Sequence, residues 1–231
     1  MIEEPKTLTI RAPQRRPSSA QIGAFQNVPT GFVVDAMFGT GSLATQIIPI
    51  PGQDLQVAGP ALTVDNRPSD ILALLGALKF IQAGDIVVNG FAGFQGCAAA
   101  GDRVSGMMKN CGAAGFVTDG PMRDLDGIRA VDLPCWCTGL NPGSPYSTGP
   151  GKIGLPVQIG GQNVDTGDMI VADKDGIVVV PFDMLDHIIG RLEAVAALEH
   201  DMDGQVAEGL CVPDSIEQML QDADKVVHVT E

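Results

Sequence analysis

A regular alternation of short apolar runs with helical patterns occupies the middle of the chain, between residues 56 and 138. The apolar runs, which predict strands, are residues 56–64, 85–89, 115–118 and 134–138. The helical patterns between them are residues 71–84, 102–110 and 124–130. Ser69 or Asp70 is expected to cap the first of these helices, which should end at Gly84. Because parallel strands need crossover connections, this alternation predicts an α/β fold with a largely parallel sheet.

The last third of the chain has a different pattern. Four further short runs predict strands at residues 155–159, 162–164, 169–172 and 176–180. Gly160-Gly161 and Asp175-Gly176 lie between strands of this group and favour hairpin turns. Pro181 begins a final helical pattern, whose apolar positions keep a helical period as far as Leu198. The segment 141–152 is rich in Gly, Pro and Ser and predicts one long loop.

The two ends of the chain are expected to lie outside the main domain. The first residues are polar and rich in proline, so residues 1–25 are predicted to form an N-terminal arm. Thr30 is expected to cap a short helix that continues to Met37. One domain is expected over residues 26–210, followed by a C-terminal tail at residues 211–231.

Charge and composition exclude several classes of partner. The 231 residues carry a formal net charge of −14, whereas a nucleic-acid surface needs a clustered basic face, so no nucleic-acid partner is expected. The longest apolar candidate, residues 71–83, is too short for a membrane span and contains Lys79, so no membrane partner is expected. The first residues lack the apolar centre of a signal peptide. The five cysteines are odd in number and irregularly spaced, which fits a reduced cytoplasm.

Cys135 and Cys137 stand one residue apart within a predicted strand. A metal-binding or redox pair is one interpretation, but the spacing is not that of CxxC and no second pair completes a zinc site. Packing in the core is the interpretation that we favour.

Charged residues follow two of the predicted strands. Asp102 opens a helix after the Gly- and Ala-rich segment 91–101, and Arg123-Asp124 follow the strand at residues 115–118. Each feature has a structural explanation, since an aspartate stabilises a helix N-terminus and a surface Arg–Asp pair is common. However, ligands of parallel sheets bind at the carboxyl ends of strands, where both loops lie. We therefore expect Asp102, Arg123 and Asp124 to meet.

This trio suits the chemistry of a small 2-oxo acid. The planar guanidinium of Arg123 can bind a carboxylate through two parallel hydrogen bonds. An aspartate can recruit a hard divalent ion such as Mg²⁺, which keeps several waters. A second aspartate can orient or deprotonate a water, and free N–H groups at a helix N-terminus can stabilise an enolate.

The segment that carries these residues, GDRVSGMMKNCGAAGFVTDGPMRDLDGI, resembles the signature of the 4-hydroxy-4-methyl-2-oxoglutarate aldolase and regulator-of-ribonuclease-A family. The aldolase branch of that family has Asp, twenty residues, then Arg-Asp, and Asp102 with Arg123-Asp124 match this spacing. The resemblance extends over residues 30–198. It includes VAGPALTV, GPGKIGLPVQIGG and ADKDGIVVVP.

The resemblance implies a fold, an assembly and an activity. The fold is an α/β protein with a single-domain β/β/α sandwich of the swivelling-domain type, and the assembly is a homotrimer or hexamer. The activity is a divalent-metal-dependent aldolase that cleaves 4-hydroxy-4-methyl-2-oxoglutarate or 4-carboxy-4-hydroxy-2-oxoadipate to pyruvate. Decarboxylation of oxaloacetate passes through the same enolate.

The resemblance also assigns roles to single residues. Asp124 would bind Mg²⁺ or Mn²⁺, Arg123 would hold pyruvate, and Asp102 would position the water that protonates the enolate. The substrate seat would comprise Gly101, Asp102, Arg103, Val104 and Arg123. Arg103 and Gly127 depart from the residues that the family commonly has at their positions. Glu199 is either part of a solvated helix face or a residue that reaches a neighbouring subunit's site.

Three other functions are alternatives. The ribonuclease-regulator branch is a non-enzymatic protein-binding module, but it tends to lack an aspartate at the position of Asp102. A methyltransferase should have a Gly-rich loop after its first strand, and no apolar strand leads into Gly39-Thr40-Gly41. A Schiff-base aldolase needs a desolvated lysine, and Lys109 is the lysine near the motif.

Overall fold

The structure, a computed structural model, describes residues 6–53, 56–222 and 224–229. Two compact units are present: the first ends at Leu192 and the second begins at Glu193, within the long helix α6 (Leu185–Ala207). The first unit contains the sheets and most of the helices. The second contains the end of α6 and helix α7 (Asp214–Leu220).

Four parallel strands form the centre of the large sheet. They are β3 (Val57–Asp65), β4 (Ile86–Gly90), β5 (Gly115–Thr118) and β6 (Cys135–Cys137), adjacent in that order. The helices that connect them are α3 (Leu72–Ala77), α4 (Asp102–Asn110) and α5 (Leu125–Val131). The α/β fold predicted from the alternation in the sequence is therefore confirmed.

Shorter strands extend this sheet on both sides of its centre. They are β1 (Leu8–Ile10), β2 (Ile48–Pro49), β7 (Gly151–Ile153), β10 (Met169–Ala172) and β11 (Ile177–Val180). Strands β8 (Val157–Ile159) and β9 (Gln162–Val164) form a separate hairpin, with the predicted turn at Gly160-Gly161. Two helices precede β2, namely α1 (Ser19–Phe25) and α2 (Thr30–Ala36).

Both faces of the central strands are buried, and alternate side chains enter different cores. Leu62, Val87 and Phe116 face one core, to which α3, α4 and α5 contribute Leu74, Met108 and Ile128. The intervening residues face a second core with the β8–β9 hairpin and β10–β11; they include Ala61, Ile86, Val88 and Val117. These layers are the expected β/β/α sandwich, because each strand has one face against helices and the other against strands.

Cys135 and Cys137 are buried free thiols on the helix-facing side of β6, while Trp136 between them faces the second core. Burial raises the pKa of both thiols. Their role is core packing, as the alternation of a strand requires.

Helix α3 is shorter than the pattern at residues 71–84 predicts. It ends at Ala77, and the chain then turns through residues 78–80, where the Phe80 N–H donates to the carbonyl oxygen of Ala77 at 2.8 Å. Phe80 and Ile81 still pack against the helix-side core. The apolar period thus continues beyond the helix because these residues are buried, and the turn returns the chain to β4.

Part of the segment expected to be an N-terminal arm is built into the first unit. Strand β1 pairs in parallel with β7. Because β7 begins at Gly151, the loop expected over residues 141–152 ends two residues earlier than predicted. Arg15 contacts Asp168 at 3.0 Å, and Arg16 forms an ion pair with Asp85. Both aspartates are buried, which raises the pKa of each. Arg15 and Arg16, which were expected to belong to an arm, therefore form ion pairs with buried carboxylates.

The remaining differences concern the ends of helices. Pro29 is the N-cap of α2, and Thr30 is instead its first residue, with its N–H and hydroxyl both donating to Asp173 at 2.8 Å. A short 3₁₀ turn, Phe182–Met184, precedes α6, which therefore begins later than Pro181. None of the helices in the described ranges has the length and apolar character that crossing a membrane requires.

Candidate active site

Two loops run side by side at the carboxyl edge of the parallel strands. One leads from β4 into α4, and the other leads from β5 into α5. The Arg123 N–H donates to the carbonyl oxygen of Ala100 at 3.1 Å, and the Ala99 N–H donates to that of Pro121 at 2.7 Å. These bonds bring the start of α4 beside the Arg123-Asp124 pair.

Gly101 permits this close approach. A Cβ atom at this position would lie 2.9 Å from Oδ2 of Asp124 and 3.0 Å from Cγ of Arg123. The backbone of Gly101 is extended, with φ −143°, so the requirement is for space and not for a special conformation. Any larger residue would push the charged pair away from the helix.

Asp124 has a left-handed backbone, with φ 64° and ψ 51°, immediately before α5. Aspartate and asparagine tolerate this region better than most residues, but it still costs roughly 1 kcal/mol or more. The turn lets the Asp124 carbonyl accept the first helical hydrogen bond, from the Ile128 N–H at 2.9 Å. It also leaves the Asp124 side chain on the surface beside α4.

Between the two loops lies an open cleft of about 330 Å³. Six residues line it: Gly101, Asp102, Arg103, Val104, Arg123 and Asp124. The structure thus places Asp102, Arg123 and Asp124 together with the rest of the expected substrate seat, Gly101, Arg103 and Val104.

Arg123 is held from two sides. Its Nε lies 3.4 Å from Oδ2 of Asp124, and its Nη1 donates to Oγ of Ser144 at 2.6 Å. The side chain is 35% exposed, and its Nη2 has no hydrogen-bond partner within the described part of the chain. A ligand in the cleft can therefore reach a guanidinium whose orientation is already fixed.

Asp102 lies both at the start of α4 and at the edge of the cleft. Its Oδ1 accepts a hydrogen bond from the Arg103 N–H at 2.6 Å, which stabilises the start of α4. Its Oδ2 lies against α5, where a Cβ at Gly127 would be only 2.6 Å away. The carboxylate is half-buried at the edge of the cleft.

A third aspartate organises the loop before α4. Asp119 accepts hydrogen bonds from the N–H groups of Phe91 and Gly93, the latter at 2.8 Å. Burial raises the pKa of Asp119, and these hydrogen bonds act in the opposite direction. The Gln95 amide links the same loop to β5 by donating to the Asp119 carbonyl oxygen at 3.1 Å. Asp119 therefore supports the backbone that leads into the cleft.

The donor set of the cleft fits a divalent ion bound mainly through water. Within the described ranges, no group of three or more His, Cys, Asp or Glu residues is arranged to hold a metal. The cleft offers Asp124, whose side chain is 49% exposed and has only a 3.4 Å contact with Arg123, and Asp102 beside it. Mg²⁺ prefers carboxylate oxygens and often keeps several waters, so two carboxylates are compatible with such a site.

Lys109 lies at the opposite end of α4 from the cleft. Its Nζ donates to the carbonyl oxygens of Val131 and Asp132, at 2.6 and 3.0 Å, and so stabilises the end of α5. Seven residues of helix place it ~10 Å along the axis from Asp102. A Schiff-base role in the cleft is incompatible with this position.

Ser144 and Asp119 were not predicted as part of the site. Ser144 lies in a loop without a periodic pattern, so no local signal indicates its contact with Arg123. Asp119 directly follows a buried strand, which is a signal that could have identified it. Glu199 is half-buried in the second unit, and its proposed role across an interface stays a prediction.

Comparison with known proteins places the chain in a family. The family model described as RraA-like, Aldolase/RraA, matches residues 30–179. The chain belongs to the RraA-like family. This match includes β3 to β10 and both loops that form the cleft.

Individual proteins similar to this RraA-like chain have both enzymatic and regulatory descriptions. A Halalkalibacterium halodurans protein named "Putative 4-hydroxy-4-methyl-2-oxoglutarate aldolase" is 38% identical over 170 residues, which are 74% of this chain and 80% of that protein. Streptomyces coelicolor RraAS2, described as an unusual member of the RNase ES inhibitor RraA family, has a TM-score of 0.68 and 29% identity, covering 84% and 98% of the two chains. An uncharacterized Pseudomonas syringae protein has a TM-score of 0.76 and 24% identity, covering 85% and 92%, and shows the shared fold.

Proposed function

We propose that this RraA-like protein is a divalent-metal-dependent aldolase that cleaves 4-hydroxy-2-oxo acids, such as 4-hydroxy-4-methyl-2-oxoglutarate, to pyruvate. The observation that carries the proposal is that Asp102, Arg123 and Asp124 line one cleft. The name of the Halalkalibacterium halodurans relative supports the same reaction class.

Substrate binding would depend on Arg123 and the N-terminus of α4. The guanidinium, fixed by Ser144 and Asp124, would hold the C1 carboxylate of the 2-oxo acid. The N–H groups of Asp102 and Val104 have no hydrogen-bond partner among the residues described here. They would donate to oxygens of the bound acid, because the first N–H groups of a helix lack intrahelical acceptors.

Cleavage would proceed as a retro-aldol reaction. The C4 hydroxyl would give its proton to a water in the cleft, the C3–C4 bond breaks, and the electron pair of that bond moves onto the C2 carbonyl to give the enolate of pyruvate and a second carbonyl compound. Asp102 would hold the water that delivers a proton to C3 of the enolate. Loss of CO₂ from oxaloacetate gives the same enolate, so an oxaloacetate decarboxylase activity is part of the proposal.

Asp124 would hold Mg²⁺ or Mn²⁺, with Asp102 near enough to contact its hydration shell. When bound, the ion would supply positive charge that stabilises the enolate. Arg123 contributes a second, permanent positive charge to the lining of the same cleft. The two charges would act together on an anionic substrate despite the net charge of −14, because exposed charges farther than ~10 Å are largely screened.

A homotrimer or hexamer, with Glu199 near the site of a neighbouring subunit, is also part of the proposal. Light scattering should report a trimer or a multiple of it. A monomer that turns over substrate at full rate would contradict a role for Glu199 across an interface.

The decisive experiment follows two reactions by proton NMR. With Mg²⁺ or Mn²⁺, the protein should release pyruvate from 4-hydroxy-4-methyl-2-oxoglutarate and exchange the methyl protons of pyruvate in deuterated water. If neither reaction exceeds the rate of the metal ion alone, the proposed function is wrong.

The similarity to Streptomyces coelicolor RraAS2 supports a second candidate, a non-enzymatic regulator of ribonuclease activity. A regulator should bind a ribonuclease and lower its activity without needing Arg123 or Asp124. Inhibition that persists in an Arg123→Lys variant, together with the absence of both NMR reactions, would favour this alternative.

A further inference from the structure

Asn141 joins three segments of the chain around Arg123. Its backbone N–H donates to the carbonyl oxygen of Met122, the residue before Arg123, at 2.9 Å. Its side-chain Nδ2 donates to the carbonyl oxygen of Gln95 at 2.8 Å, and its Oδ1 accepts a hydrogen bond from the Gly143 N–H, also at 2.8 Å. The loop before α4, the loop before α5 and the segment after β6 thus meet at one half-buried residue.

The segment that carries Ser144 depends on contacts of this kind. Residues 138–150, all of which the structure describes, form no helix or strand between β6 and β7. Ser144 nevertheless supplies the 2.6 Å contact with Nη1 of Arg123. Because no regular structure holds this segment, the position of the Ser144 hydroxyl depends on the contacts that the neighbouring residues make.

The turn from Asn141 to Gly143 provides these contacts. The Oδ1 of Asn141 closes an Asx turn by accepting from the Gly143 N–H. The Gly143 carbonyl oxygen accepts a hydrogen bond from the Ala98 N–H at 3.0 Å. A Cβ atom at Gly143 would lie 3.0 Å from Oδ1 of Asn141 and 3.1 Å from Cβ of Cys97, so the turn fits closely against the loop before α4. Ser144 directly follows this turn, which therefore determines where its hydroxyl lies.

The side chain at residue 141 must donate on one side and accept on the other. The Gln95 carbonyl oxygen needs a donor, and the Gly143 N–H needs an acceptor. The amide of asparagine supplies both, and this requirement fixes which of its two end atoms is the oxygen. An aspartate of the same size would place an oxygen against the Gln95 oxygen, and an aliphatic side chain would leave both groups without this partner. The chemistry of residue 141 is thus set by the two segments that it joins.

We propose that Asn141 is a positioning residue, which places Ser144 and, through it, the guanidinium of Arg123 before the substrate binds. This inference rests on the proposed function, in which Arg123 holds the C1 carboxylate. A guanidinium that is already oriented loses less conformational freedom when the carboxylate binds, so the affinity is higher. Asn141 is not one of the six residues that line the cleft, so it acts on the orientation of Arg123 and not on proton transfer.

The first test is a double-mutant cycle in which pyruvate binding is measured by calorimetry in the presence of Mg²⁺. Asn141→Ala should weaken pyruvate affinity by ~3- to 10-fold, the effect of losing the hydrogen bond between Ser144 and Arg123. The rate of methyl-proton exchange at saturating pyruvate should stay close to wild type. In a Ser144→Ala background, where that hydrogen bond is already absent, Asn141→Ala should change affinity by less than about 2-fold. Effects that multiply, or a wild-type affinity in Asn141→Ala, would overturn the inference.

Asn141→Asp tests the contact with the loop before α4 separately. It keeps the size of the side chain and the acceptor for the Gly143 N–H, but it replaces the donor that faces the Gln95 oxygen by a second oxygen. It should therefore weaken pyruvate affinity at least as much as Asn141→Ala does. A wild-type affinity in Asn141→Asp would contradict the requirement for a donor at this position.

Gln53→Ala is the matched control. Gln53 is also half-buried, and its amide joins two other segments by donating to the Leu133 carbonyl oxygen at 2.7 Å and accepting from the Cys135 N–H at 3.2 Å. Neither Gln53 nor its two partners line the cleft. Gln53→Ala should therefore lower the unfolding temperature without changing pyruvate affinity. If it weakens pyruvate binding as strongly as Asn141→Ala does, Asn141 contributes general stability and does not position Arg123.

An NMR signal tests the orientation of Arg123 without any substrate. The Nε–H cross-peak of Arg123 can be assigned by its absence from the spectrum of Arg123→Lys. Asn141→Ala should shift this cross-peak in the same direction as Ser144→Ala does, whereas Gln53→Ala should not shift it. A cross-peak that moves in Ser144→Ala but not in Asn141→Ala would overturn the inference. If the wild type shows neither cleavage nor pyruvate exchange, the aldolase proposal is wrong, and this signal still decides whether Asn141 positions Arg123.

Discussion

Gly127 in α5 leaves the space that the Asp102 side chain occupies. A Cβ atom at Gly127 would lie 2.6 Å from both Cβ and Oδ2 of Asp102. The Cβ of Asp102 is fixed by its own backbone, so the conflict cannot be relieved by rotating the carboxylate alone. The contact between α4 and α5 thus determines where this carboxylate lies.

We predict that Gly127→Ala lowers activity while the protein remains folded. The added methyl group must displace Asp102 or separate the two helices, and a misplacement of about 1 Å can cost ~100-fold in rate. Pyruvate methyl-proton exchange should therefore fall by roughly 10- to 100-fold. The circular dichroism spectrum should be that of the wild type.

Gly106→Ala is the matched control for this prediction. Gly106 lies within α4, and a Cβ there would meet Val131 at 3.7 Å, an ordinary van der Waals distance. Replacing a helical glycine by alanine should then stabilise the protein by up to ~1 kcal/mol without affecting exchange. Equal exchange rates for Gly127→Ala and Gly106→Ala would show that the position of Asp102 does not matter for catalysis.

Arg123 and Asp102 should have separable effects. Arg123→Lys loses the planar fork, so it should weaken pyruvate binding and lower kcat/KM by ~30- to 1000-fold. Asp102→Asn keeps the size of the side chain but removes the base, so pyruvate affinity should stay close to wild type. Proton exchange should nevertheless fall by roughly 10²- to 10⁴-fold. Wild-type exchange in Asp102→Asn would mean that Asp102 serves only to stabilise the helix.

The sequence predicts that Asp102, Arg123 and Asp124 meet, because the order and direction of the strands bring their loops to the same edge of the sheet. Parallel strands β4 and β5 must end at one edge, and Asp102 and Arg123 each follow one of these ends. Gly127 differs from the residue that the family commonly has at this position. The sequence does not show, however, that Gly127 lies against Asp102. The meeting of the trio follows from the alternation of strands and helices, which the sequence shows. The contact between Gly127 and Asp102 depends on how α4 and α5 pack, which the sequence does not show.

The N-terminal residues illustrate a second limit. Arg15 and Arg16 look like residues of a solvated arm because nothing in the local sequence identifies their partners. Their partners, Asp168 and Asp85, are far away in the chain. Ion pairs of this kind depend on the tertiary fold and not on the local sequence, so no periodic pattern predicts them.

Activity should depend on an added divalent ion. We expect EDTA to abolish pyruvate release and proton exchange, and excess Mg²⁺ or Mn²⁺ to restore both, because Asp124 would be the main protein ligand. Asp124→Asn should show weaker activation, measured as a higher metal concentration at half-maximal rate. Treatment with borohydride in the presence of pyruvate should trap no adduct on Lys109. Full activity in EDTA, or such an adduct, would contradict the metal-dependent mechanism.

Asp70 should make a pH-dependent contribution to stability. Burial alone would raise its pKa, but hydrogen bonds from the N–H groups of Leu72, Thr148 and Gly149 and from the Thr148 hydroxyl outweigh burial and hold the pKa below its ordinary value. A lowered folded-state pKa stabilises the protein above the unfolded pKa of ~3.9, and this stabilisation is lost as pH falls through the folded value.

The variant that tests this contribution is Asp70→Asn. It should lower the free energy of unfolding at pH 7 by ~1–3 kcal/mol, because the asparagine keeps only one of the two oxygens that accept these hydrogen bonds and loses the charge. The difference from wild type, measured by urea denaturation, should start to shrink as pH falls below the unfolded pKa of ~3.9 and should shrink further as pH passes through the lowered folded-state pKa. A difference that is constant from pH 7 to pH 3 would show that ionisation of Asp70 does not stabilise the loop.

Ser144 should affect substrate binding through Arg123. Its hydroxyl accepts a hydrogen bond from Nη1 of Arg123 at 2.6 Å, and Ser144→Ala removes this contact without changing a charge. The guanidinium would then keep its contact with Asp124 but lose the one with Ser144. We therefore expect a ~3- to 10-fold weaker affinity for pyruvate and little change in the rate of exchange at saturation. Ser147→Ala, at an exposed position in the same loop, should change neither quantity. If Ser144→Ala instead lowers the saturated rate while leaving affinity intact, Ser144 acts on the reaction itself and not by positioning Arg123.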